Sequence, residues 1–314
     1  MAGTTCGADR PVRTIAVLNQ KGGVGKTTTA VNLGAALAEA GRRVCLIDLD
    51  PQAHLTLHLG IDISPDGHSV YDLLIDPACE VSHCLVRARE SLDVIPAEVD
   101  LAGAEAELAD HPDRQRLLRH KLAAFTDSYD FVFVDCPPSL GLLTLNALSL
   151  AGEVFVPMQA HFLALQGVGK LLQTVQLVRR SVNPALQVTA IVVCMHEAQT
   201  TLAREVIADL DAFFDAARSQ EVPWRNCRVL RPPVRRNVKL AEAPSFGKTI
   251  FDYAPWCAGA NDYRKLAERL VAETQQLPAA PEIVTLPAST APQERVPVAA
   301  EPPPRISTAP DPVQ

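Results

Sequence analysis

The chain has 314 residues, 47% of them hydrophobic, and a formal net charge of −7. That length supports a large core in one big domain or two small ones. The negative charge fits a soluble protein and gives by itself no sign of nucleic acid. No apolar run approaches the length of a membrane span, and the first residues, MAGTTCGADRPVR, lack the apolar stretch of a secretory signal.

Residues 1–11 read as a disordered lead-in. A β-rich run, Thr14–Leu18, leads into the loop QKGGVGK, and a helical stretch, Thr27–Glu39, follows it. Further β-rich runs are Val44–Asp48, Leu92–Ile95, Phe131–Asp135, Glu153–Pro157 and Val188–Cys194. Between and after them lie helical stretches at Leu101–Leu108, Gln115–Phe125, Leu142–Leu150, Gly167–Arg179 and Thr201–Ala217. From Pro278 to Gln314 the chain carries ten of its 25 prolines, so 277–314 reads as a Pro-rich disordered tail and 12–276 as the folded domain. The eight cysteines are scattered without a C-x-x-C pair, which argues against a disulfide framework or zinc site and suits a reducing cytosol. Cys45 and Cys194 sit in apolar runs and read as small buried hydrophobes.

Apolar runs without strict alternation, separated by helices, predict an α/β fold: a doubly wound, mostly parallel sheet with helices on both faces. Ligands on such sheets bind beyond the carboxyl ends of the strands, where the motifs fall.

The first motif is nearly the phosphate-binding pattern G-x-x-x-x-G-K-[ST]. Gly25-Lys26-Thr27 fits its end, but Gln20 stands at the first Gly and a second lysine, Lys21, follows. Gly22, Gly23 and Gly25, with Val24 between them, let backbone N–H groups converge on phosphate oxygens, and the helix start adds its dipole. Lys26 is expected to reach the β- and γ-phosphates, Thr27 to ligate Mg²⁺, and Thr28 to continue the cradle. A dinucleotide site is the competing reading of Gly23-x-Gly25. Thr28 at the third glycine position and the Gly-Lys-Thr triplet both favour a nucleotide triphosphatase. The strand Phe131–Asp135 ends in a carboxylate suited to Mg²⁺. The segment LIDLDPQ places Asp48 and Asp50 beside the loop, where one acid could orient or deprotonate water; the bland reading of Asp48 is a cap or turn former.

These stretches, with IPAEVDLAGAEAEL, YDFVFVDCPPSLGLLTLNAL and RRNVKLAEAPSFGKTIFDY, resemble the ParA/Soj branch of the ParA–MinD ATPases over most of 12–276. The resemblance implies a P-loop ATPase with ATP and Mg²⁺ as cofactors and slow turnover. Lys21, Lys26 and Asp50 are then the catalytic set. Two copies close face to face on ATP, and Lys21 contacts phosphate in the opposite copy, as an arginine finger does elsewhere. The ATP-bound homodimer binds double-stranded DNA without sequence preference, and a ParB-like partner stimulates hydrolysis. The expected location is cytoplasmic and nucleoid-associated, with no membrane contact. Asn237 matches a position associated with adenine. The alternative is a ParA-like ATPase that positions another cargo, such as a protein compartment or receptor cluster.

Between Arg225 and Lys248 seven basic residues face one acid, Glu242, giving +6 and leaving −13 for the rest of the chain. That inversion suggests a polyanion surface, with Arg235, Arg236, Lys239 and Lys248 as the candidate DNA contacts. The chain departs from the family pattern at Gln199, where relatives carry an arginine, in the sequence around Val234–Leu240, in extra residues before it around 220–232, and at His161 in QAHFLAL. Two other classes compete: an iron–sulfur relative using Cys136, and a binding module with dead ATPase chemistry. The presence of Lys21, Lys26, Thr27, Asp50 and Asp135 opposes the second.

Overall fold

The computed structural model describes residues 12–64, 67–161 and 164–276. The proposed lead-in 1–11 and tail 277–314 lie outside the described residues. The strands are β1 (Arg13–Val17), β2 (Val44–Asp48), β3 (Val86–Arg89), β4 (Leu92–Ile95), β5 (Phe131–Asp135), β6 (Glu153–Gln159), β7 (Gln187–Cys194) and β8 (Arg228–Val229). They form one sheet in the order β3-β4-β2-β5-β1-β6-β7-β8. All pairings are parallel except β3 with β4. The helices are α1 (Lys26–Glu39), α2 (His54–His58), α3 (Val70–Ile75), α4 (Ala104–Glu107), α5 (Leu117–Leu122), α6 (Leu142–Leu150), α7 (Ala164–Ser181), α8 (Thr201–Ala217), α9 (Val238–Glu242), α10 (Ile250–Tyr253) and α11 (Ala258–Gln276).

The apolar runs are buried on both faces because helices cover both. One face packs Ile15, Val17, Leu46, Phe133 and Phe155 against α1 and α11. The other packs Ala16, Ile47, Val134 and Val156 with Leu143, Leu148, Leu171 and Val175 of α6 and α7. Gly34 lets α1 approach the sheet closely: a Cβ there would lie 2.7 Å from Leu46 Cδ2, so the buried Leu46 side chain would have to shift.

Differences from the sequence expectation are local. The helix expected over Leu101–Leu108 is a 3₁₀ turn, Val99–Ala102, followed by α4. Gly103 stands at the break, and glycine weakens a helix interior. The stretch Gln115–Phe125 shortens to α5, with Asn146 Oδ1 accepting from the Leu118 N–H at 3.1 Å near its start. The antiparallel edge β3 escaped the reading because its sequence, VRAR, is half polar. The order of β5, β1 and β6 sets the active end: the carboxyl end of β1 lies between Asp135 and Phe155. No helix among the described residues is long and apolar enough to cross a membrane.

Candidate nucleotide site

The loop after β1 is held by Asn19. Its Nδ2 donates to the Pro157 carbonyl at 2.8 Å, and its Oδ1 accepts from the Lys21 N–H at 3.0 Å. Gly23 and Gly25 then take φ of 70° and 95°, the left-handed region that favours glycine. Gly25 is the N-cap of α1, and a Cβ there would lie 3.2 Å from Cys194 Sγ on β7. The loop thus delivers its N–H groups and the start of α1 to one cleft of about 490 Å³. Gly22, Gly23, Gly25, Lys26, Thr27, Thr28 and Asp50 all line it. Val24 is instead buried at 2% exposure and anchors the loop.

Lys26 is nearly buried, and its Nζ reaches back to the Lys21 carbonyl at 3.5 Å. Thr27 Oγ1 donates to Asp135 Oδ2 at 2.6 Å. The other oxygen, Asp135 Oδ1, is buried without a hydrogen-bond partner. Burial first, and then the neighbouring Asp48, hold the Asp135 carboxyl well above the usual carboxylate range. An orphaned carboxylate oxygen beside a threonine hydroxyl is a donor set that suits a hard divalent cation. The residues present therefore fit Mg²⁺.

The two acids after β2 separate in role. Asp48 is fully buried, and its Oδ2 accepts from the Thr56 N–H at 2.9 Å and from Thr56 Oγ1 at 2.8 Å. Its Oδ1 accepts from the Asp50 N–H at 3.2 Å. Burial outweighs these bonds and pushes Asp48 up to about 6. Asp48 is thus a clamp on the β2–α2 turn, the bland reading, whereas Asp50 sits on the cleft wall with Oδ1 accepting from the Gln52 N–H at 3.0 Å.

The sequence reading did not assign Gln52, His54, Leu57, His58, Pro138, Met195 or Pro244 to the site, yet they also line the cleft. Gln52 and Pro138 lie inside the DLDPQ and DCPPSL motifs; the others come from distant segments. His58 ends α2, buried at 2% exposure, with Nε2 unpartnered. Two residues on, Gly60 meets Gly247 backbone to backbone. A Cβ on Gly60 would lie 3.1 Å from Gly247 Cα, and one on Gly247 2.9 Å from Gly60 Cα. Cys136 is wholly buried, and burial raises its thiol, as for a small core hydrophobe.

Asn237 lines an adjoining cavity of about 360 Å³ together with Thr28, Arg235 and Arg236. Its Oδ1 caps α9 by accepting from the Lys239 N–H at 2.9 Å. The basic stretch is less free than its composition suggests. Arg235 forks onto Asp262, which is 3% exposed, with its shortest contact at 2.7 Å. Arg236 pairs with Glu197 at 2.8 Å and Lys239 with Glu242 at 2.8 Å. Arg231 and Arg228 pair with Asp211 and Glu273. Lys248 is exposed, and among the described residues it has no ion pair within 4.0 Å. Gln199 is also exposed.

A doubly wound sheet, a glycine loop opening α1 and acids at the ends of β2 and β5 define a P-loop nucleoside triphosphatase, with an extra lysine in the loop. A family profile described as an AAA domain matches residues 12–188. The chromosome-partitioning ATPase Soj of Treponema pallidum is 44% identical over 84% of this chain and 99% of its own length. The chromosome partitioning protein ParA of Caulobacter vibrioides is 42% identical over 83% of this chain and 94% of its own. A solved structure of cobyrinic acid a,c-diamide synthase from Mycobacterium smegmatis, with bound ATP analog and magnesium, is 39% identical. It superposes with a TM-score of 0.70 over 86% of this chain and 99% of that one. The chain belongs to the ParA/Soj family of chromosome-partitioning ATPases.

Proposed function

We propose that this ATPase works as an ATP- and Mg²⁺-dependent dimer on nonspecific DNA and partitions chromosome or plasmid DNA with a ParB-like partner. The observation that carries the reading is the split between the two loop lysines. Lys26 is buried and lines its own cleft, whereas Lys21, next in sequence to Gly22 of the cleft wall, is exposed and does not line it. An exposed cation beside the cleft, not engaged in it, suits phosphate in a second copy that closes over it.

In this reading the loop N–H groups and Lys26 hold the β- and γ-phosphates, and Thr27 and Asp135 hold Mg²⁺. The metal neutralises charge on the phosphate oxygens. Asp50 orients or deprotonates the attacking water. Lys21 of the facing copy stabilises charge at the transferred group. Lys248 and the outer rims of Arg236 and Lys239 contact DNA phosphates. The chain then acts in the cytoplasm on the nucleoid.

The test is ATP turnover with and without nonspecific DNA and candidate partner. Stimulation by both supports the reading. The Asp50→Ala variant is expected to form an ATP-bound dimer that stays on DNA; a monomeric variant in ATP sinks the sandwich mechanism. Cobyrinic acid, the compound in the name of the M. smegmatis relative, leaves turnover unchanged on this reading.

A further inference from the structure

Lys21 Nζ lies 2.7 Å from His161 Nε2. An ammonium has no lone pair, so it donates, and Nε2 must be the bare nitrogen of a neutral imidazole with its proton on Nδ1. We propose that His161 is the resting partner of Lys21: it holds the lysine against its own chain, and this hold competes with the use of Lys21 across the dimer. The proposal rests on the trans-lysine reading given above.

The contact is built at both ends. His161 lies two residues past β6, with its N–H donating to the Gln159 carbonyl at 3.0 Å. Gln159 Nε2 in turn reaches the Gly23 carbonyl at 3.4 Å. With the Asn19 bond to the Pro157 carbonyl, the end of β6 therefore grips the phosphate loop at three points. Lys26 is spent on its own cleft, so Lys21 is the movable charge. The cavity beside His161 is lined by His196, Glu197 and Arg236. Glu197 there pairs with Arg236 at 2.8 Å, while the imidazole is the side chain that Lys21 Nζ meets. A charge-assisted hydrogen bond in so open a setting is worth about fivefold in an equilibrium.

Two measurements test this. In nucleotide-free, ¹⁵N-labelled protein, the His161 Nε2 resonance is expected to move in Lys21→Gln, because the ammonium is gone and the shorter, uncharged amide does not replace it. In ATP, His161→Ala is expected to dimerise at about 25-fold lower protein concentration than the native chain, about fivefold for each of the two lysines released. His161→Gln keeps an acceptor oxygen and stays near the native value. In a Lys21→Gln background, His161→Ala has no further effect. An unmoved resonance overturns the proposal alone, as does a dimerisation gain that persists without Lys21. Native turnover by Lys21→Gln would instead overturn the trans-lysine reading.

Discussion

Acidification isolates the cost of burying His58. The imidazole ends α2 inside the nucleotide cleft wall, and its Nε2 has no partner to share a proton with. Burial therefore holds it neutral, lowering its pKa from 6.5 to about 4. The unfolded chain takes up this proton below about 6.5 and the folded chain only near 4, so stability is lost as pH falls between them. At about 1.4 kcal/mol per pKa unit the full loss approaches about 3 kcal/mol, of which about 2 kcal/mol has accumulated by pH 5. Asp48 works in the opposite direction. Its carboxyl, raised from 3.8 to about 6, takes a proton first in the folded state, so stability is gained as pH falls through that window. The native curve alone thus mixes two signs. Comparison with His58→Gln, which does not titrate, cancels Asp48. Urea unfolding of both proteins from pH 7 to 5 should show the native chain losing about 2 kcal/mol relative to the variant. A difference that stays constant across that range would refute the argument that His58 is held neutral.

Gly25→Ala combines a φ of 95° with a Cβ only 3.2 Å from Cys194 Sγ. It is expected to cost about 1–3 kcal/mol in thermal or urea unfolding and to abolish ATP binding measured by calorimetry. Asp135→Asn removes the charge beside the Thr27 hydroxyl, so Mg²⁺-dependent tightening of ATP should fall at least tenfold, about 1.4 kcal/mol, in a magnesium titration. Arg235→Ala leaves Asp262 buried with only the Arg235 backbone N–H among its present partners. It should destabilise the fold by about 2–3 kcal/mol in the same unfolding assay, which makes it a poor probe of DNA binding. Lys248→Glu should leave unfolding unchanged and weaken DNA binding, with a shallower salt dependence.

The strands were legible because a buried parallel strand is a continuous apolar run. Val44–Asp48 and Phe131–Asp135 read at their observed limits for that reason. The phosphate loop was legible because its geometry is local: a glycine at each left-handed position, a lysine and a threonine opening a helix. What escaped depends on distance along the chain. His58, Met195 and Pro244 reach the cleft from separate segments, and no spacing rule links them to Lys26. The basic window shows the same limit. Counting charge between Arg225 and Lys248 sees only neighbours in sequence, whereas Asp262, Glu197 and Asp211 arrive from α11, the turn after β7 and α8. A sequence-local excess of +6 is thereby largely answered in space.

The meeting of Gly60 with Gly247 has a mechanical meaning. Each sits at a φ of 63°, and neither has a side chain to yield or rotate between the two backbones. Soft contacts absorb small motions; a contact of peptide on peptide does not. The turn that follows α2 thus bears directly on the turn that precedes Lys248. Any side chain added at either position would have to push the two backbones apart, so the pair works as a spacer whose width is set by the absence of a Cβ.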